Sequence, residues 1–315
     1  MRLFKCILAL CLFIGIKQWI EVTTKGFCLQ KIFADDLPPN PDWDVTPLSS
    51  CAFAELKTAL NQPFRLLGSG SECFAFLSAD GTTVIKFFKL DHARPVYFLK
   101  GLIREDHSAY AGSLSNHWLL KMPLISPFTS WRDRLLGIRE FRITRTFSSL
   151  KLAFDELQEE TGIVYLHLNP TKNFQQTITL IDANGYQHQV ELDTTRFLVQ
   201  QCATPLETHL SALITKNDLA QAQRSIDSLF ELILNRCQKG FADRDFINRN
   251  IGYIGNQAIE IDLGSFHKDP AMKKAWAYKR ELFFATLELK EWLKSHSPEL
   301  LSYYDKRLNE LIQKD

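Results

Sequence analysis

The sequence predicts an α+β protein of two lobes, on three observations. Short apolar runs separated by turn pairs fill residues 63–202. Stripes of apolar residues at helical spacing fill most of 203–315. That order, strands first and helices after, predicts two packed bodies with a cleft between them. The chain has 315 residues, of which 45% are hydrophobic and 23% charged. Such a composition supplies a sizeable core and excludes a disordered or fibrous chain. Lys and Arg number 37 against 36 Asp and Glu, a net charge of +1, which excludes a generic electrostatic grip on nucleic acid.

Arg2 and Lys5 precede an apolar run at residues 6–16 (CILALCLFIGI), the order of an export signal. The run is too short to span a bilayer alone. Continued through Trp19, Ile20 and Val22 it lengthens into a tilted anchor, with Lys17 and Trp19 at the interface. Residues 1–34 are therefore expected to be a signal peptide or an N-terminal membrane anchor, exported or membrane-bound, with a cleavage point after Ala34. Residues 35–62, rich at their start in Pro, Asp and Ser, are expected to be a linker. Seven widely scattered cysteines with no CxxC pair, and eight histidines with no HxxxH or HExxH, suggest neither a disulfide scaffold nor a zinc site.

The folded part is expected over 63–315. Strands are predicted at 64–67, 73–77 and 83–88, the last two joined by Asp80-Gly81. Residues of about 90–140 show no sustained period and are expected to be an insertion with short helices. A helix is predicted over 139–160, where Phe147, Leu150, Phe154 and Leu157 form one stripe and Gly162 supplies the stop. Strands follow at 163–168, 177–181, 187–192 and 196–201, the middle two turning at Asn184-Gly185. Helices are predicted at 206–214 and 218–238, then a hairpin at 251–254 and 258–261 around Gly255-Asn256, then a helical tail from about 271.

Four pieces carry chemistry. Gly68, Ser69 and Gly70 lie between two strands, where glycines let backbone N–H groups approach a phosphate. Lys86 sits in an apolar strand and needs a partner for its charge. Asp245 and Asn250 fall five apart in a loop after a long helix, a spacing that lets a carboxylate face a hydroxyl while an amide oxygen faces a metal. Asp262 ends a buried strand and is followed by Leu263 and Gly264, a place suited to holding a cation.

In this order the four pieces resemble the protein-kinase-like superfamily: GSGSEC for the Gly-rich loop, VIK for its lysine, DRDFINRN for the catalytic loop and DLG for the metal-binding triplet. RFLVQQC resembles the last small-lobe strand entering the hinge. The resemblance covers roughly residues 63–265 and implies a small β-rich N-lobe (63–202) with an insertion, and a reduced helical C-lobe (203–315). It implies ATP and Mg²⁺ as cofactors. Gly68, Ser69 and Gly70 would cover the nucleotide phosphates and Lys86 would bind them. Asp245 would orient or deprotonate an acceptor hydroxyl, and Asn250 and Asp262 would hold Mg²⁺. A helix glutamate should pair with Lys86. Glu156 is the choice, with Glu160 and Glu140 as the alternatives.

The sequence departs from the family's pattern at several points. Asp243 stands where His is usual, Cys73 where a third glycine is, and Ile247 where many protein kinases have a lysine. No APE-like segment follows, and only 51 residues lie beyond Gly264. A full peptide-binding platform therefore does not fit, and the acceptor can be a protein or a small molecule. Three readings stand beside one another. The first is an atypical ATP- and Mg²⁺-dependent kinase. The second is an inactive kinase-like module docking a partner through Arg132, Arg134, Arg139, Arg142 and Arg145. The third is a secreted structural protein whose motif matches are accidental.

Overall fold

The computed structural model describes residues 22–33, 39–90, 126–245 and 248–313, together with Leu12, Gly15, Trp19 and Leu37; for 126–140 the description covers the backbone alone. Most of the leader's apolar run, the cleavage point after Ala34, most of the insertion, the side chains of Arg132, Arg134, Arg139 and Glu140, and Ile247 lie outside the described residues.

The order of elements is α1 (Ser50–Leu60), β1 (Phe64–Ser69), β2 (Cys73–Ser78), β3 (Thr83–Phe88), α2 (Ser126–Glu156), α3 (Gln158–Thr161), β4 (Ile163–His167), β5 (Thr177–Ile181), β6 (Gln187–Glu191) and β7 (Phe197–Gln201). Then come β8 (Thr204–Pro205), α4 (Leu206–Thr215), α5 (Leu219–Lys239), β9 (Phe241–Asp243), β10 (Ile251–Ile254), β11 (Gln257–Glu260), β12 (Phe266–Lys268), α6 (Ala275–Ala285), α7 (Leu287–His296) and α8 (Pro298–Gln313). The protein is thus mixed α+β, with a sheet-rich first part and a helical last part.

Seven strands make one sheet in the order β4-β7-β3-β2-β1-β5-β6. Antiparallel pairing holds throughout except between β1 and β5, which run parallel with Phe64 opposite Leu180. The turns use the glycines that the turn pairs announced: Gly81, Gly185 and Gly255 all have positive φ. Alternation along β3 sends Val84 and Lys86 to the opposite face from Ile85 and Phe87.

Both faces of the sheet are covered. On one, Phe64, Phe74, Phe76, Ile85, Phe87 and Phe197 pack with Phe174 and with Phe27, Ile32, Leu56 and Leu60 from the N-terminal side. On the other, Phe147, Leu150, Phe154 and Leu157 pack on Phe88, Ile163, Leu166 and Leu198, and the same cluster takes in Phe241, Leu263 and Phe266 from the C-terminal part. Each large side chain so buried contributes roughly 1.5–3 kcal/mol. Helix α2 is therefore the joint between the sheet and the loops of the second part. A separate core, built from α4 to α8 with β10 and β11, centres on Ile226, Phe230, Ile233, Leu289 and Tyr304.

Two differences from the sequence expectations concern packing. Residues 35–62 hold an eleven-residue helix, α1, capped by the Ser49 side chain, whose Leu56 and Leu60 join the core. The buried Phe27 and Ile32 fall within 1–34, so cleavage after Ala34 would remove two core side chains. No helix among the described residues is long and apolar enough to cross a membrane.

Candidate functional site

The loops that carry the chemistry are set by the ends of regular elements. Helix α5 ends at Gly240, whose φ of +85° turns the chain directly into β9. β9 pairs with β12, Asp243 opposite Phe266, so the loops after Asp243 and before Phe266 lie side by side. β10 and β11 form the hairpin whose two ends are Asn250 and Ile261.

One chain of hydrogen bonds, running through Ile261, joins three of the residues singled out in the sequence, and a fourth adjoins it. The Lys86 ammonium, from β3, donates to the carbonyl of Ile261, 175 positions away. The Ile261 N–H donates to the Asn250 carbonyl at 2.7 Å. The Asn250 side-chain amide donates to the Asp245 carbonyl at 2.7 Å and faces its carboxylate at 3.5 Å. Asp262 is the next residue after Ile261. Burial pushes the Lys86 ammonium below its usual range, while Cys73 and the Asp262 carboxylate favour its charged form. Burial likewise raises the Cys73 thiol, and Lys86 opposes that rise.

Asp245 and Asp262 open onto a cleft of about 540 Å³. Glu72, Ser71 and Gly264 line it beside them, and Arg145, Arg244, His267 and Lys268 line it as well, so acidic and basic groups share one cavity. Lys86, Gly68 and Gly70 are not among its lining residues.

The β1–β2 turn is closed on itself. The Gly70 N–H donates to the Cys73 carbonyl at 3.0 Å, and Lys89 donates to the Ser69 hydroxyl at 2.9 Å and to the Gly70 carbonyl. Among the described residues, the expected pairing of Lys86 with Glu156, or with Glu160, does not form. Glu156 pairs with Lys268 at 2.7 Å, and buried Glu160 pairs with Lys239 at 2.7 Å.

Several groups that hold the site were not singled out in the sequence. The buried Ser149 of α2 donates to the Leu263 carbonyl at 2.5 Å and accepts from the Phe266 N–H at 2.7 Å, pinning the loop that carries Asp262. Asp243 accepts from the Asp245 N–H at 3.1 Å and from the Ser265 hydroxyl, tying the two loops together. Behind it the fully buried Arg236 contacts Glu260 at 2.8 Å, Glu281 at 2.6 Å and Asp243 at 3.9 Å. An arginine inside the apolar stripe of α5 was the one sequence signal of this network. Ser149 gives none, since a serine on a helix reads as solvated.

No protein-family model matches the chain, and no curated protein does. Among solved structures, the bifunctional kinase-methyltransferase WbdD is similar at 16% identity and a TM-score of 0.31, over 76% of this chain and 43% of that one. Rv3197 from Mycobacterium tuberculosis, solved in complex with erythromycin, is similar at 12% identity and a TM-score of 0.31, over 85% and 72%. The chain thus spans less than half the length of the first. Likenesses at this level name no family for the chain, and the reading that follows stands on the site's own geometry.

Proposed function

We propose that this chain is a kinase-like phosphotransferase, dependent on ATP and Mg²⁺, that transfers a γ-phosphate to a hydroxyl on a protein or a small molecule. The observation that carries the reading is the hydrogen-bond chain from Lys86 through Ile261 and Asn250 to Asp245, with Asp262 adjoining it. Phosphoryl transfer asks a protein for positioning and for neutralised charge, and this cluster offers a cation, two carboxylates and an amide at one place. Lys86 binds nucleotide phosphate, and Gly68, Ser69 and Gly70, at the end of β1 and the start of its turn, cover it. Asp245, exposed at the cleft, receives or orients the acceptor hydroxyl.

The donor set suits a hard cation. Asp262 is exposed, and its one hydrogen bond among the described residues is a long contact of 3.4 Å from the Gly264 N–H. Asn250 spends its amide N–H on Asp245, which leaves its oxygen for a metal. Mg²⁺ takes oxygen ligands, commonly one or two carboxylates plus substrate phosphates. When bound it neutralises charge on the transferring group. Export or anchoring through residues 1–34 belongs to the same proposal. The charge-then-apolar order supports it, and the buried Phe27 and Ile32 favour an uncleaved anchor over a cleaved leader.

The full chain should show a thermal shift with Mg-ATP and transfer phosphate to itself or to an added acceptor. Asp245→Ala should lose transfer by 10²-fold or more while keeping the shift. A wild-type chain that shows no shift with Mg-ATP overturns the reading. A second reading, an inactive kinase-like binding module, has one observation in its favour: the Lys86 ammonium is spent on a backbone carbonyl, and Glu156 and Glu160 pair elsewhere. Nucleotide binding with no transfer to any acceptor would favour it.

A further inference from the structure

Glu72 lies in the β1–β2 turn, next to the glycines, yet its side chain reaches across to two other elements. Its Oε2 accepts from the Thr146 hydroxyl of α2 at 3.0 Å. The same oxygen lies 2.9 Å from where a β-carbon on Gly264 would stand, and Asp262 Oδ1 lies 3.8 Å from that point. Its carbonyl accepts from the Lys89 N–H at 2.8 Å, the same lysine whose ammonium closes the turn. Glu72 therefore touches the nucleotide-covering turn, the joint helix and the loop of Asp262 at once. Thr146 is buried and one helical turn from Ser149, which holds the other side of that loop.

We propose that Glu72 is a positioning residue that couples the β1–β2 turn to the Asp262–Gly264 loop. The inference rests on the phosphotransferase reading for its purpose, but the coupling itself is a property of the free protein. A side chain at residue 264 would have to move the end of the Glu72 carboxylate aside. A metal held by Asp262 then senses whether the turn is closed.

Two measurements on the full chain test it. Amide hydrogen exchange reports opening of residues 262–266 without nucleotide. In Glu72→Ala this segment should exchange about tenfold faster, as loss of a hydrogen bond to a charged group implies, while α5 stays unchanged. Thr146→Val should accelerate the same segment from the other side. Glu72→Gln, whose amide oxygen still accepts from Thr146, should restore slow exchange. Second, a Mg²⁺ titration of the ATP-dependent thermal shift should move to several-fold higher Mg²⁺ in Glu72→Ala, with the shift by ATP alone unmoved. Wild-type exchange at 262–266 in both Glu72→Ala and Thr146→Val overturns the coupling. A wild-type protein that binds no nucleotide overturns the phosphotransferase reading instead, and leaves the exchange result to decide the coupling.

Discussion

Arg236 has no solvent exposure and faces three carboxylates, those of Glu260, Glu281 and Asp243. One cation faces three carboxylates, of which the Glu260 and Asp243 side chains are buried and that of Glu281 is partly exposed, so one of them should hold a proton. Burial pushes the Glu260 carboxyl up to about 8 against the pull of Arg236, and its Oε2 accepts no hydrogen bond among the described residues. In the unfolded chain that carboxyl titrates near 4.5. The folded state therefore binds a proton that the unfolded chain has released. Stability from this group is present below about pH 4.5 and is lost as pH rises through about 8. Urea unfolding between pH 5.5 and 8.5 should show that decline, and Glu260→Gln should flatten it. Arg236→Met leaves the acids uncompensated and should cost about 3–5 kcal/mol by the same measurement. The network also accounts for Asp243 where His is usual. A carboxylate can accept from both the Asp245 N–H and the Ser265 hydroxyl while facing the guanidinium, which a neutral imidazole cannot do.

At the scale of elements, α2 decides where the Asp262 loop sits. Its apolar stripe was legible because Phe147, Leu150 and Phe154 recur at helical spacing, and all three are buried. Its polar edge was not legible. Thr146 and Ser149 look solvated in sequence but carry the contacts to Glu72, Leu263 and Phe266. Ser149→Ala would strand a buried carbonyl and a buried N–H, and should cost roughly 1–3 kcal/mol in chemical denaturation. Glu156 shows the same limit. Composition placed an acid on the right helix, but only the packing angle of that helix reveals that it faces Lys268. The strands were readable wherever alternation and a turn pair coincided, as at Asp80-Gly81, Asn184-Gly185 and Gly255-Asn256. The three-residue β9 and β12 have no period to read, because their pairing is set by Gly240 and by the neighbouring loop rather than by their own pattern. The residues Lys86, Asp245, Asn250 and Asp262 stood out as charges or amides out of keeping with apolar or turn surroundings. The groups that hold them in place did not.

For the whole molecule, the N-terminal stretch changes what counts as the folding unit. Proline and aspartate at 35–50 read as a linker, and that composition concealed both α1 and the core contacts on either side of it. The Phe27 ring meets the rings of Phe74 and Phe76 edge-on, each at a centroid separation of 5.2 Å, so it closes one face of the seven-stranded sheet. Ile32, Leu56 and Leu60 extend that cover. The other face is covered independently by α2, and the helical part has a core of its own. Loss of the N-terminal cover should therefore act on the sheet first. Phe27→Ala should cost about 3–5 kcal/mol, the usual range for removing a buried phenylalanine. A chain beginning at residue 63 should bind an apolar dye and melt in two steps, its sheet-rich part below its helical part. The same chain should bind Mg-ATP poorly, because the sheet that carries Lys86 no longer holds its register against the loop of Ile261. A chain beginning at 63 that melts in one transition at the temperature of the full protein would show that residues 22–62 only decorate the sheet, and that the unit begins where the strand pattern does.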